Sequence, residues 1–515
     1  MTALPWLCRK SRSLQIGLAL TCINDHPDHS GKAEREFPQG DDMALLTFIG
    51  AIQEVTGSCY LLETRDGVRV LLECGMRQGR SHHLGTRENE ASNRTPFPFD
   101  PKELDAVVLS HAHLDHSGLL PRLAKEGYKG PIYATESCCD LLELMLMDSA
   151  HIQEKDAEWE NKWRTRLNKP PVKPLYTVED ASRALNQRRR VSYGSTVDVA
   201  RGIRVTFHNA GHILGSAIVE LEIHEFGSTR RLVFSGDLGS TCSPLMRTPT
   251  PLTRADVVLL ESTYGDRDHR DANDTLLELA GILQRAQNEG GNVLIPSFAV
   301  GRTQDLIYYL GRFYQEGRLP QQVVYLDSPM AAQANNIYLQ HIGEIADVDR
   351  EYMRGTGTAK VGEWLPVLRT TQSAEESMAL NRIKSGAIII AGSGMCTGGR
   401  IVHHLKHNLW REECHIVFPG FQAQGTLGRA IVDGAETVRI LRQRISVKAQ
   451  IHTLGGFSAH AGQSQLIQWV EHFENKPELY LIHGEREKMD VLKGALQDRL
   501  NWTANIPEPG DRIAI

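Results

Sequence analysis

From Ala44 onward, short apolar runs divided by turn residues (LLTFIGA, SCYLLET and VRVLLECG) have the length and composition of adjacent strands. A polar, proline-bearing stretch at 77–101 interrupts them, and a buried-type strand at 104–109 then runs straight into histidines at His111. Residues 137–187 read as polar helix broken at Pro170-Pro171, either an insertion covering one edge of the site or a solvated structural helix pair. Strands resume at 203–208, 217–224, 231–234 and 256–260, which makes the first part of the chain mainly β. After Thr263 the texture changes. VLIPSFAVGRTQDLIYYL, VVYLDSPMAA and AIIIAGSGMCTGGRIVHHL each read strand, small-residue loop, helix, the pattern of a parallel sheet. Segments 450–460 and 478–483 return to strands followed by histidine, which predicts that the chain re-enters the first domain after an inserted one.

Length and composition narrow this picture. A chain of 515 residues exceeds what one core usually organises, and 41% hydrophobic with 23% charged residues describes a globular α/β protein. The formal net charge of −6 means that nucleic acid would be met by a local basic groove and not by a globally cationic surface. Nine cysteines (Cys8, Cys22, Cys59, Cys74, Cys138, Cys139, Cys242, Cys396 and Cys414) form neither a disulfide framework nor CxxC pairs, which suits a reducing cytoplasm. No apolar run approaches the roughly 20 residues needed to span a bilayer, so no membrane association is expected. Basic residues before a short apolar patch at 9–22 have the outline of a leader peptide, but Gln15 and Gly17 interrupt the patch. Residues 1–42 are instead expected to be a disordered extension.

The run Ser110-His111-Ala112-His113-Leu114-Asp115-His116-Ser117-Gly118 carries the chemistry. In an extended segment alternate side chains share a side, so His111, His113 and Asp115 would project together and a turn would bring in His116. Imidazoles and a carboxylate without nearby thiolates suit a catalytic zinc site, which keeps a position open for water. His212 in GHILGS and Asp237 in FSGDLG sit in glycine-flanked turns beside strands.

With these motifs the chain resembles the metallo-β-lactamase superfamily, over nearly all of residues 43–515. The later Glu261-Ser262-Thr263-Tyr264-Gly265, His460 in FSAH and His483 in LIHGE resemble the motifs of its nucleic-acid-cutting β-CASP branch. The resemblance implies an αββα sandwich built from about 43–261 and 446–515, holding an inserted Rossmann-like β-CASP domain at about 262–445. It also implies two zinc ions, for which manganese could substitute. His111, His113 and His212 would hold one, Asp115, His116 and His483 the other, with Asp237 bridging. His460 would protonate the leaving oxygen, oriented by Glu261.

The physical logic is independent of the likeness. Two cations bridged by a carboxylate can acidify water and neutralise charge on a phosphorane-like transition state, and a histidine titrates in the range where it can give a proton to a ribose oxygen. The expected substrate is RNA, cut by hydrolysis to 5′-phosphate and 3′-hydroxyl ends, because DNA-directed relatives typically lack the histidine corresponding to His483. The competing readings are a small-molecule thioester or lactam hydrolase and a DNA-directed nuclease. A homodimer is compatible with the sequence.

Two glycine-rich strand-to-helix loops could cradle RNA phosphates, through Ser297 and Arg302 in one and Ser393, Thr397 and Arg400 in the other. The family commonly has Asp-Cys-Gly where this chain has Glu73-Cys74-Gly75, so a longer carboxylate would have to support the metal site through shifted geometry. His82, His83, His403, His404, His415 and His452 lack competing ligand spacing and are read as surface or packing residues.

Overall fold

The computed structural model describes residues 43–78, 91–241, 243–346 and 364–515. The expected extension at 1–42, His82, His83, Cys8, Cys22 and Cys242 lie outside the described residues.

Strands β1 (Leu45–Gly50), β2 (Cys59–Glu63), β3 (Arg69–Leu72), β4 (Ala106–Val108), β5 (Ile132–Thr135) and β6 (Arg188–Val191) lie side by side in sequence order. The last strand, β22 (Arg512–Ala514), pairs antiparallel with β1, Leu45 opposite Ala514. A second sheet runs from β7 (Thr196–Ala200) through β8 (Ile203–Asn209), β9 (Ala217–Glu225), β10 (Ser228–Phe234) and β11 (Val257–Glu261) to β20 (Glu478–Ile482) and β21 (Ala504–Asn505).

Alternation along the strands builds the layers. Leu46, Phe48, Tyr60, Leu62, Val70 and Leu72 of the first sheet share one buried cluster with Val205, Phe207, Val219, Leu221, Leu232 and Phe234 of the second. Each such side chain contributes about 1.5–3 kcal/mol on burial, before the cost of ordering it is counted. The opposite face of the first sheet, with Leu61, Leu71 and Val107, packs on helices Leu120–Lys125 and Glu136–Arg166. That of the second, with Val233, Val258 and Leu260, packs on helices Gln463–Glu471 and Arg486–Leu500. Helix, sheet, sheet, helix is the resulting order. The polar segment read as helical at 137–187 forms helix Glu136–Arg166 and helix Val178–Leu185, separated by the Pro170-Pro171 break.

The third sheet is parallel throughout: β14 (Leu368–Thr370), β13 (Val323–Asp327), β15 (Ala387–Ala391), β12 (Val293–Pro296), β16 (His415–Phe418) and β19 (Gln450–Thr453). This is the Rossmann-like domain, and β17 (Thr437–Ile440) and β18 (Gln443–Ser446) form a separate antiparallel hairpin on it. Its membership differs in one respect from the sequence reading, since β19 pairs with β16 and extends this sheet instead of opening the return to the first domain. A lone strand of mixed texture carries no mark of which sheet it joins. Among the described residues no helix is long and apolar enough to cross a membrane.

Candidate metal centre

Parallel strands deliver their carboxyl ends to a common edge, and here five of them do so at one place. β3 and β4 are parallel neighbours, and the residues after them are Glu73 and the run leading to His111. β10, β11 and β20 are also parallel neighbours, which sets Asp237, Glu261 and His483 side by side. The Ala217 amide donates to the Ser110 carbonyl at 2.8 Å, tying the His212 loop of the second sheet to the His111 loop of the first.

The histidine run departs from the extended form expected for it. His113, with φ −59° and ψ 147°, precedes a four-residue helix, Leu114–Ser117, so Asp115 and His116 reach the site from a helical turn. Tight turning lets two consecutive residues face the same centre.

Glycines permit the second pair of loops to meet. A Cβ on Gly239 would stand 1.8 Å from the Gly211 carbonyl oxygen and 2.7 Å from the His212 amide nitrogen. Gly239→Ala must therefore push the Asp237 and His212 loops apart. We expect it to cost about 1–3 kcal/mol by overpacking and to reduce bound metal, read by thermal unfolding and metal analysis of the same sample.

Among the described residues the donor atoms fall into three overlapping groups: His111, His113, His212 and Asp237; Asp115, His116 and His483; and Glu73 with His111 and His116. His111 Nε2 lies 3.1 Å from His113 Nδ1, and His212 Nε2 lies 3.2 Å from that same Nδ1. Asp237 Oδ2 is 3.5 Å from His111 Nε2 and 3.6 Å from His212 Nε2. In the second group His116 Nε2 is 3.2 Å from His483 Nε2, with Asp115 Oδ2 3.7 Å from the latter. The second Asp237 oxygen, Oδ1, is 3.3 Å from His116 Nε2 and also lies 3.6 Å from His483 on its other side, at Nδ1. Four ligands bonded to zinc at 2.0–2.1 Å in a tetrahedron stand about 3.3–3.4 Å apart, close to these spacings. Asp237 Oδ1 is moreover buried and accepts no hydrogen bond among the described residues, an expensive state that a cation would relieve. The residues fit a bound metal ion.

Their electrostatics point the same way. Burial, reinforced by neighbouring imidazoles, pushes His111 and His212 well below the ordinary histidine value, and burial lowers His113 too. Burial opposes the Asp115 carboxylate, but His483, His116 and His113 outweigh it and bring it down to about 2. Asp237 is likewise held well below the carboxylate range, its burial overcome by His116, His483 and His111. Neutral imidazoles and ionised carboxylates are the forms that bind metal. His116 is held up against its burial by Asp237, Glu73 and Asp115, so a cation there displaces its proton.

The imidazoles of His111, His116, His212 and His483 each have one nitrogen fixed by a partner, which orients the ring in the centre. Ser110 Oγ meets His111 Nδ1 at 3.0 Å, and the Ala459 carbonyl accepts from His212 Nδ1 at 3.2 Å. Thr263 Oγ1 meets His483 Nδ1 at 3.1 Å, and Glu73 accepts from His116 Nδ1 at 2.5 Å. Glu73 is fully buried and also accepts from the Ser110 amide and hydroxyl, at 2.6 and 2.9 Å. Burial raises its carboxyl, with His116 and Ser110 pulling the other way. The longer side chain thus reaches a histidine of the metal set. Glu73→Gln is expected to weaken metal affinity by about 10–100-fold, measured by titration with a zinc indicator and strongest at the His116 side. Ser110, Thr263 and the Ala459 carbonyl were not singled out in the sequence. Their adjacency to motif residues was the one available signal.

His460 stands beside the second carboxylate. Its Nδ1 is 3.2 Å from Glu261 Oε1 and 4.0 Å from Asp237 Oδ2, and its ring centroid is 4.5 Å from that of His212. Burial disfavours the imidazolium, but Glu261, Asp237 and Asp115 outweigh it and raise His460 to about 9. Glu261 is itself fully buried and fixed by the Leu238 and Thr263 amides, at 2.9 and 3.1 Å.

The two glycine-rich loops are neighbours at the carboxyl edge of the third sheet, where the Ser297 amide donates to the Ala391 carbonyl at 3.0 Å. A Cβ on Gly301 would meet Ile213 at 2.9 Å, so the first loop abuts the one that carries His212. Ser297 is buried, whereas the Thr397 side is exposed and its amide donates to Ser393 Oγ at 3.0 Å. Arg302 pairs with Asp305 at 3.2 Å, and Arg400 pairs with the buried Asp327 at 2.6 Å while also donating to the Gln372 carbonyl. Both guanidinium groups therefore have partners inside the domain. His404 is buried on Asp327, and His415 and His452 stack on each other, which makes them packing residues.

Comparison with known proteins gives the same frame. Residues 52–282 match the model of the metallo-beta-lactamase superfamily, 303–431 that of the Beta-Casp domain, and 444–507 that of the Zn-dependent metallo-hydrolase RNA specificity domain. The chain is 41% identical over 452 residues to "Ribonuclease TTHA0252" of Thermus thermophilus, covering 87% of this chain and 95% of that one. It is 32% identical over 465 residues to "Transcription termination factor FttA" of Methanocaldococcus jannaschii, covering 87% of this chain and 68% of that one. A crystal structure of a protein of unknown function from Enterococcus faecalis V583 superposes with a TM-score of 0.50 at 14% identity, covering 92% of this chain and 100% of that one, a likeness of fold alone. The chain belongs to the metallo-β-lactamase superfamily, in its β-CASP branch.

Proposed function

We propose that the chain is a zinc-dependent ribonuclease that hydrolyses RNA phosphodiester bonds at a two-metal centre. The observation that carries this reading is Asp237, whose two oxygens each face a different set of imidazoles across a few ångströms. His111, His113 and His212 would hold one zinc, Asp115, His116 and His483 the other. When bound, two such ions supply an acidified water and positive charge against the phosphate oxygens.

The protein's own groups supply the rest. Glu261 keeps His460 protonated and fixes its Nδ1, leaving Nε2 free to deliver a proton to the departing ribose oxygen. Ser393 and Thr397, on the second loop, would offer hydroxyl groups to the RNA backbone, and Arg302 and Arg400 brace the two loops. Ser297, expected from the sequence to do the same, is instead buried, with its amide on the Ala391 carbonyl and its hydroxyl on the Phe298 carbonyl. Support for RNA as substrate comes from the RNA specificity domain matched at 444–507 and from the ribonuclease to which the chain is similar. The six described cysteines that are buried and free are consistent with a reducing cytoplasm.

The test is product mapping on internally labelled single-stranded RNA with zinc or manganese, alongside metal analysis. Products with 5′-phosphate ends and about two metal equivalents are expected. A metal-loaded sample that leaves RNA intact yet opens a thioester would overturn the proposal in favour of a small-molecule hydrolase.

A further inference from the structure

A charged face lies on the small antiparallel hairpin of the inserted domain, β17 paired with β18. Val438 and Ile440 point inward and are buried in the domain core, so the alternate residues face solvent. On that outer face Arg439 stands directly opposite Arg444. Like charges in a cross-strand pair repel. Arg444 donates from Nε to Thr437 Oγ1 at 3.1 Å, but among the described residues no carboxylate pairs with Arg439, Arg442 or Arg444. The three line a hollow of about 430 Å³ with Thr437 and Val438.

The turn adds a second observation. Leu441 and Arg442 have φ of +47° and +66°, a left-handed pair that two-residue turns normally fill with asparagine and glycine. Full side chains thus occupy positions where the backbone disfavours them. Arg442 extends from this turn over Trp163 of helix Glu136–Arg166, with 5.6 Å from its guanidinium carbon to the ring centroid. Trp163 is 41% exposed, is also covered by Arg166 at 5.2 Å, and sits edge to face with Trp159, which is 57% exposed. Arginines without a carboxylate partner next to exposed, accessible indoles are the elements of a single-strand binding surface, phosphates on the guanidinium groups and bases on the rings.

We propose that this face, Arg439, Arg442 and Arg444 with Trp159 and Trp163, docks single-stranded RNA outside the metal centre. It rests on the ribonuclease reading and adds to it a second point of hold on a long substrate. A short RNA that spans only the metal centre does not reach it. In a protein of net charge −6, a local cationic face also steers the strand toward one side of the molecule.

The experiment compares the full-length protein with R439Q/R442Q/R444Q and with W163A, each metal-loaded. Binding is measured in a His460→Ala background, for a long unstructured RNA and a short one, across a salt series. The triple variant should bind the long RNA about tenfold or more weakly at low salt, and its salt slope should fall by about 2, from three phosphate contacts at about 0.7 each. W163A should lose at least about fivefold on the long RNA, the lower end of one base stack. With His460 restored, both should cleave the short RNA at the unaltered rate, which also shows that they are folded. R439K/R442K/R444K should recover most of the salt slope.

Unchanged long-RNA affinity and slope, with cleavage intact, would overturn the docking face and leave the ribonuclease standing. The docking face also falls if the arginines govern retention on vesicles of anionic phospholipid while RNA binding is unaffected. If the unsubstituted protein neither binds nor cuts RNA, both proposals fall together.

Discussion

Asp237→Ala is expected to lower RNA cleavage by roughly a thousandfold or more and to strip metal from both halves of the site at once. The magnitude follows from charge stabilisation worth several kcal/mol, of which about 4 kcal/mol already corresponds to a thousandfold. The breadth of the loss follows from geometry, because one carboxylate faces His111 and His212 with one oxygen and His116 and His483 with the other. Metal analysis should fall for the whole centre, whereas His483→Ala should leave the His111, His113 and His212 set able to retain its ion. Thermal unfolding gives a second reading. Metal that binds only the folded chain raises its stability by mass action, so added zinc should raise Tm in the unsubstituted protein and barely in Asp237→Ala. Full activity with two metals in Asp237→Ala would refute the bridging role.

The second large effect is expected at His460. Its replacement by alanine should reduce kcat by about 10²–10⁴-fold, the span of general acid catalysis, while metal content stays normal. Glu261→Gln should do less damage to kcat and should displace the alkaline limb of the pH profile. The sign follows from the pair. Glu261 helps raise His460 to about 9, so the acid form persists through neutral pH and is lost as pH climbs past that value. Without the negative charge the loss begins at lower pH. An alkaline limb that stays in place in Glu261→Gln would remove Glu261 from the proton-donating pair.

Much of this site is legible in the sequence. The run from His111 to His116, the glycine-flanked His212 and Asp237, and the later Glu261, His460 and His483 are each short motifs at strand ends, and the structure brings them into one centre. The mainly β first part and the parallel alternation after Thr263 are visible because inward and outward residues alternate along strands such as Ile203–Asn209. What escapes is what depends on neighbours distant in sequence. Ser110 and Thr263 act through single hydrogen bonds to rings already assigned, and one hydroxyl leaves no periodic trace. Gln450–Thr453 has no feature announcing that it pairs with His415–Phe418. Arg400 is visible as a cation, but only the fold reveals the buried Asp327 that engages it.

Pairing of Val257–Glu261 with Glu478–Ile482 is what carries His483 to within 3.2 Å of His116, 367 positions earlier in the chain. A polypeptide still emerging from the ribosome therefore holds most of these imidazoles and no finished centre until the strand before His483 has been made. A chain whose synthesis stops before Glu478–Ile482 would lack both the strand that pairs with Val257–Glu261 and the last imidazole of the set.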